Sequence, residues 1–179
     1  MHWLERLWPD EYVADIQQID LDKLRANGYR LILTDLDNTL VPWNHPELPD
    51  ALVDWLRAVR QRGFSVCILS NNAGPRVNAF AAKAGVDYIA AARKPKQEAF
   101  RRALAQFGVP PEAAVMVGDQ LFTDIQGGNR CGLYTILVLP IAEREWWGTR
   151  LVRRLERIVL RRLVRKGLVI PQRKVKGNE

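Results

Sequence analysis

Short apolar stretches rich in β-branched residues alternate with longer amphipathic stretches along residues 1–140. The short stretches are typical of strands that are buried on both faces of a parallel sheet. Polar or turn-forming residues follow most of them and indicate where the strands end. Five strands are predicted, at residues 31–36, 64–69, 86–90, 114–118 and 134–139.

Three of the intervening stretches carry helix signals, namely apolar residues at helical spacing and Asp, Pro or Gly at the ends. The first helix is predicted to have Asp50 as its N-cap and Gly63 just past its end, and the other two to run from Pro75 to Gly85 and from Pro95 to Gly108. Strands and helices in alternation indicate an α/β protein. We therefore expect a Rossmann-like doubly wound parallel sheet, covered on both faces in a three-layer α/β/α arrangement.

Residues capable of chemistry follow four of the five predicted strands. In an open parallel sheet, ligands bind beyond the carboxyl ends of the strands, so these residues are expected to meet in one crevice. They are Asp35, Asp37, Ser70, Asn71, Lys94, Asp119 and Asp124.

The chemical types of these side chains point to phosphoryl transfer. Carboxylates at close range repel each other and need a cation, and carboxylate oxygens without His or Cys suit Mg²⁺. A hydroxyl, an amide and an ammonium group, from Ser70, Asn71 and Lys94, are suited to bind a multi-oxygen anion. A carboxylate can attack phosphorus, and a second acid can protonate the leaving oxygen and then activate water.

Four motifs, in this order, resemble those of the haloacid dehalogenase (HAD) superfamily, and the subtype resembles the IIIA phosphatases. They are "DLDNT" from Asp35, "LSNN" from Leu69, "RKP" from Arg93 and "GDQLFTD" from Gly118. The flanking stretches "PDEYVADI" and "GDQLFTDIQGGNRCGLYTILVLP" resemble the YqeG-type family. That family is related to phosphatidylglycerophosphate phosphatases of bacteria, plastids and mitochondria. The resemblance covers roughly residues 8–142.

The resemblance implies a role for each motif residue. Asp35 would be the nucleophile and a Mg²⁺ ligand, and Asp37 the general acid/base, its backbone carbonyl also binding the metal. Lys94 would neutralise the phosphoryl group, and Asp119 would bind Mg²⁺. The remaining roles are phosphate binding and loop geometry for Thr39, phosphate binding for Ser70 and Asn71, and support of the metal's waters or of Lys94 for Asp124.

The spacing of the motifs leaves no room for a cap domain. Only 30 residues separate Thr39 from Ser70 and only 23 separate Ser70 from Lys94, and each interval is filled by loop, helix and strand. A capless site can accept a phosphate on a protein, a nucleic acid or a membrane lipid, which argues against a small free metabolite. Trp43, near the site, is predicted to be a packed loop residue, with contact to substrate as the alternative.

Composition divides the chain into two parts. The whole chain is 47% hydrophobic and 26% charged with a net charge of +7, and its two cysteines suit a reducing compartment. Residues 141–179 hold 12 Lys and Arg against 4 Asp and Glu. We therefore expect a single phosphatase domain over residues 1–142 and a basic, amphipathic helical tail over 143–179. The start lacks signal-peptide features, and no apolar run is long enough to span a membrane.

The tail has two interpretations. An apolar face beside arginines suits a helix lying on an anionic membrane through residues 143–168, but the same face would also suit docking on the protein's own core or on a second chain. The predicted apolar face comprises Trp147, Leu151, Val152, Leu155, Ile158, Val159 and Leu163. Nucleic acid is a weaker expectation, because no aromatic residues are interleaved along the basic face.

These observations lead to one leading hypothesis and two alternatives. The leading hypothesis is a Mg²⁺-dependent, capless phosphomonoesterase that forms an aspartyl-phosphate and converts phosphatidylglycerophosphate to phosphatidylglycerol. It would be cytoplasmic, with peripheral binding to the inner membrane face as a further expectation. The alternatives are a phosphatase of a phosphoprotein, nucleotide or other soluble ester, and a non-catalytic scaffold recruited by its tail. The sequence carries no signal for an oligomeric state.

Overall fold

A computed structural model describes residues 3–142 and 150–172. Six parallel strands form one sheet in the order β1-β6-β5-β2-β3-β4. The strands are β1 (Glu11–Val13), β2 (Leu31–Thr34), β3 (Ser65–Leu69), β4 (Asp87–Ile89), β5 (Ala114–Gly118) and β6 (Tyr134–Val138). The helices are α1 (Leu21–Ala26), α2 (Asp50–Gln61), α3 (Pro75–Ala84), α4 (Gln97–Phe107), α5 (Gln126–Cys131) and α6 (Arg150–Arg165).

The predicted three-layer, doubly wound fold is confirmed. Alternate residues of β2 face opposite sides of the sheet: Ile32 packs with α2 and α3, whereas Leu31 and Leu33 pack with α4. All three are fully buried, as expected for a central strand. All five predicted strands are present, each within two residues of its predicted end. The short edge strand β1 was not predicted, because three half-buried residues carry too weak a pattern.

The predicted helix starts need two small corrections. Asp50 is the first residue of α2 rather than its N-cap, a place taken by Pro49 without a side-chain hydrogen bond. Pro95 does not begin α4, which starts two residues later at Gln97. The chain from Thr39 to Lys94 is described throughout, and its two motif intervals contain α2 and α3 as their helices, with no inserted cap domain.

The last helix, α6, packs on the body of the protein. Val159 and Leu163, with Leu168 beyond the helix end, are buried in one cluster. The cluster also contains residues from the N-terminal 3-10 helix (Trp3–Leu7), from β6 and from the segment after β5: Leu4, Leu7, Leu121, Ile125 and Leu137. The predicted single apolar face is thus divided, since Val152, Leu155 and Ile158 remain exposed. Trp147 and the side chain of Leu151 lie outside the described residues.

Within the described part of the chain, no helix combines the length and the apolar character that crossing a bilayer requires.

Candidate active site

The site lies where the winding of the sheet reverses. Strand β2 is central and pairs with β3 on one side and β5 on the other. Asp35 directly follows β2, and its N–H donates to the carbonyl of Val117 in β5 at 2.9 Å. Asp119 directly follows β5. Two neighbouring parallel strands therefore deliver two carboxylates to the same edge, which is the usual ligand position in such sheets.

Lys94 joins the carboxylates of two different strand ends. Its Nζ lies 2.7 Å from Oδ1 of Asp35 and 2.8 Å from Oδ1 of Asp124, and its side chain is only 2% exposed. Burial alone would lower the pKa of Lys94, but the Asp124 and Asp35 carboxylates outweigh burial and hold this pKa above its ordinary value. The ammonium therefore stays charged at the centre of the site.

Asn71 fixes the loop that carries Lys94. Its side-chain Oδ1 accepts from the backbone N–H of Lys94 at 2.7 Å, and its Nδ2 donates to the Lys94 carbonyl at 3.2 Å. Arg93, directly before Lys94, has a φ of 54°, in the left-handed region that side chains rarely adopt. The Asn71 amide thus holds a strained loop in place. Direct binding of phosphate by Asn71 stays a prediction.

Three buried carboxylates could together hold a cation. Oxygen atoms of Asp35, Asp119 and Asp124 all lie within 4.8 Å of one another. Burial raises the pKa of Asp35; Lys94 opposes this rise, and the neighbouring Asp124 and Asp119 carboxylates add to it. A divalent cation would relieve the repulsion, and an all-oxygen set suits a hard ion such as Mg²⁺. The residues present therefore fit the expected metal, with Asp124 as a third carboxylate.

Two small residues support this cluster. The Thr39 hydroxyl, 2% exposed, donates to Oδ1 of Asp119 at 3.2 Å. Gly118 leaves space for Asp124, because a Cβ added at Gly118 would lie 2.3 Å from the Asp124 Oδ2. Thr39 therefore orients a candidate metal ligand, and its predicted contact with phosphate stays a prediction.

The Asp37 carboxylate faces away from the carboxylate cluster, toward α3. Arg76 Nη2 lies 2.5 Å from both Asp37 oxygens, Asn72 Nδ2 donates at 2.8 Å, and the Asn44 N–H donates at 3.1 Å. Arg76 Nη1 also donates to the carbonyl of His45 at 3.5 Å. These contacts tie the candidate acid/base to both walls of the crevice. The described structure thus gives Asp37 and Asp35 separate partners, as distinct roles require.

An open crevice of about 540 Å³ gives access to these groups. Its lining includes Asp35, Asp37, Ser70, Asn71 and Lys94. Ser70 is 2% exposed, and its hydroxyl accepts from the Asn72 N–H at 3.1 Å. Trp43 is 41% exposed at the rim, so the prediction of a packed loop residue was wrong. This tryptophan presents an aromatic surface to whatever enters the crevice.

Sequence reasoning missed two residues that shape the site, Arg76 and Asn72. Arg76 carried a usable signal, since it directly follows Pro75 in the first turn of α3, where a cation opposes the helix dipole. Such a placement indicates a nearby anion, which the structure identifies as Asp37. Asn72 carried no such signal, because an asparagine after a strand also suits a plain turn.

An α/β fold with paired aspartates and a buried lysine at the switch point defines a phosphoryl-transfer class of hydrolase. The family profile of the haloacid dehalogenase-like hydrolases matches residues 2–132. The chain belongs to this family.

Comparison with curated proteins narrows the relationship. The chain is 43% identical over 159 residues to "Probable phosphatase YqeG" of Bacillus subtilis, covering 89% of this chain and 92% of that protein. It is 32% identical over 170 residues to the chloroplastic/mitochondrial phosphatidylglycerophosphate phosphatase 1 of Arabidopsis thaliana. That match covers 89% of this chain and 49% of the plant protein, so the chain spans about half of this relative's length. The predicted relationship to YqeG-type and phosphatidylglycerophosphate phosphatases is confirmed, and the chain is a phosphatase-type enzyme.

A solved structure supports the fold alone. An uncharacterized protein from Listeria monocytogenes serotype 4b aligns with a TM-score of 0.52 and 23% identity. The alignment covers 80% of this chain and 91% of that protein.

Proposed function

We propose that this phosphatase hydrolyses phosphatidylglycerophosphate to phosphatidylglycerol at a membrane surface, with Mg²⁺ and through an aspartyl-phosphate. One observation carries the chemical part: Lys94 contacts both Asp35 and Asp124, and Asp119 completes the carboxylate cluster. That arrangement supplies a nucleophile, a fixed positive charge and a candidate metal site within one crevice.

In the first half-reaction, a carboxylate oxygen of Asp35 attacks phosphorus and the bond from phosphorus to the ester oxygen breaks. Asp37, carrying the proton that it gained in the preceding turnover, turns from Arg76 and gives this proton to the leaving alkoxide. Lys94 and the Ser70 hydroxyl bind phosphoryl oxygens. Asp35, Asp119, Asp124 and the Asp37 carbonyl would hold a Mg²⁺ ion, which when present would supply charge neutralisation for the transferring group.

In the second half-reaction, the Asp37 carboxylate accepts a proton from water, and the resulting hydroxide attacks phosphorus. The acyl-phosphate bond breaks, so inorganic phosphate leaves and the Asp35 carboxylate is restored. Asp37 then carries the proton needed for the next turnover. Atoms and charge balance over the cycle, and one acid serves both halves.

Three features support a lipid-borne substrate. Relatives from Arabidopsis thaliana and Chlamydomonas reinhardtii, each 32% identical, are phosphatidylglycerophosphate phosphatases. The crevice has no cap domain between Thr39 and Lys94, so a phosphate on a large carrier can reach it. Exposed apolar residues of α6 lie beside exposed arginines, which suits an anionic bilayer.

The direct test measures phosphate released from phosphatidylglycerophosphate in mixed micelles, compared with soluble phosphate esters. We expect lipid turnover with Mg²⁺, its loss with EDTA and its recovery when Mg²⁺ is restored. Good turnover of a soluble ester without any turnover of the lipid would exclude phosphatidylglycerophosphate as the substrate, while the proposed phosphatase activity would stand. Unchanged turnover in EDTA would exclude a requirement for a divalent metal ion.

A further inference from the structure

Glu156 of α6 is a buried carboxylate outside the crevice. It is 5% exposed and lies one helical turn before Val159, on the face that packs against the body of the protein. Burying a carboxylate is costly unless it receives hydrogen bonds. Its Oε1 accepts from the backbone N–H of Phe122 at 3.0 Å.

That N–H belongs to the start of the helical segment that carries Asp124. A π-helix, Leu121–Ile125, follows Gln120 and continues into α5. Gln120 occupies the N-cap position but makes no side-chain cap hydrogen bond. First-turn N–H groups need acceptors, and a carboxylate there also interacts favourably with the helix dipole. Glu156 therefore provides, from a distant part of the chain, the cap that Gln120 does not.

The capped segment positions groups at the candidate active site. Asp124 pairs with Lys94 at 2.8 Å, and Gln120 and Thr123 line the crevice. On its other side, Leu121 and Ile125 share the cluster with Val159 and Leu163 of α6. Two kinds of contact, one apolar and one charged, thus link α6 to the segment behind Asp124.

We infer that Glu156 is a positioning residue for catalysis: by capping the helical segment at Phe122, it fixes Asp124 and hence Lys94. The helix predicted as a separable tail then contributes to the active site of the enzyme. The inference uses the phosphatase activity and the role of Lys94, and it is independent of the lipid substrate.

Two conservative variants distinguish the contribution of the Glu156 side-chain length from that of its negative charge. Glu156→Gln keeps the side-chain length and an oxygen acceptor but loses the charge. Glu156→Asp keeps the charge but withdraws the oxygen from Phe122 by one methylene. If the hydrogen bond positions the segment, Glu156→Gln keeps kcat within about threefold of wild type, whereas Glu156→Asp lowers kcat about tenfold with little change in KM, as expected for a lost cap. Glu98→Asp makes the same replacement at an exposed glutamate of α4; it is the matched control and leaves kcat unchanged.

Hydrogen exchange of the Phe122 amide gives a readout that does not depend on activity. We expect about tenfold faster exchange in Glu156→Asp and near-native exchange in Glu156→Gln. Equal kcat in both variants and wild type would overturn the inference, as would a larger loss in Glu156→Gln than in Glu156→Asp. If wild type turns over neither lipid nor soluble ester, the proposed function fails, and unaltered exchange in Glu156→Asp would separately reject the cap.

Discussion

The crevice and the outer face of α6 both concentrate charge, but they hold it in opposite ways. In the crevice, Lys94 is 2% exposed and contacts two carboxylates at 2.7 and 2.8 Å. On α6, Arg154, Arg157 and Arg161 are exposed to solvent. Buried charges interact strongly and depend on the positions of their partners, whereas exposed charges are screened and act together. Small changes in the crevice should therefore have large effects, and single changes on α6 small ones.

The largest expected effect comes from Asp35→Asn. The amide keeps the shape but cannot attack phosphorus, and it weakens the ion pair with Lys94. We expect kcat to fall about a thousandfold or more, measured as phosphate release under saturating Mg²⁺. A biological role that survives this change would favour a scaffold.

Gly118, behind Asp124, provides the next test, which asks how tightly the carboxylate cluster of the crevice is packed. In Gly118→Ala the added Cβ would lie 2.3 Å from Asp124 Oδ2, so Asp124, the partner of Lys94, must shift. We expect a loss of about 1–3 kcal/mol in unfolding free energy and about a hundredfold loss of kcat.

The matched control is Gly128→Ala, whose Cβ would meet Thr135 at 2.6 Å and Met116 at 3.1 Å instead. It should lose similar stability with a much smaller loss of kcat. Equal losses of kcat in the two variants would mean that overpacking alone, rather than displacement of Asp124, slows the reaction.

Arg76 tests the separate environment of Asp37. Arg76→Ala removes the cation that holds Asp37 at 2.5 Å, so the acid/base loses its fixed starting position. We expect a fall in kcat of about tenfold, with partial recovery in Arg76→Lys, which restores charge without the planar fork. Lys83→Ala, an exposed cation on the same helix, should behave as wild type. Full activity in Arg76→Ala would mean that Arg76 only shapes the crevice and does not position Asp37 for catalysis.

Physical differences between the two regions also explain what could be predicted from sequence. The candidate catalytic groups Asp35 and Asp119 directly follow β2 and β5, which are fully buried, so the sheet brings these two carboxylates to one edge. Lys94 lies beyond the edge strand β4 and reaches the same place through a loop that Asn71 holds. Arg76 and Glu156 contact groups that are distant in sequence. The place of Arg76 in the first turn of α3 indicates a nearby anion but not which one, and Glu156 leaves no local pattern. On α6, every apolar position looks alike in sequence, although the structure buries Leu163 and exposes Leu155.

The smallest effects are expected on the outer face of α6. Leu155 and Ile158 are 50% and 49% exposed, so replacing both with serine removes apolar contact with a bilayer without opening the buried cluster. The double variant Leu155→Ser with Ile158→Ser should bind phosphatidylglycerol vesicles about tenfold more weakly and keep its turnover of soluble esters. Deleting residues 143–179 is a poorer test, because it would also remove Val159, Leu163 and Glu156 from the body of the protein.

Tyr88→Ser, which removes a 37%-exposed aromatic on β4 at the far edge of the sheet, is the control and should bind as wild type. Binding is measured by cosedimentation with phosphatidylglycerol and with phosphatidylcholine vesicles. The comparison of the anionic with the neutral lipid distinguishes the electrostatic from the apolar contribution to binding. Unaltered binding of the double variant to the anionic vesicles would reject this face as the membrane contact, while the crevice chemistry would stand.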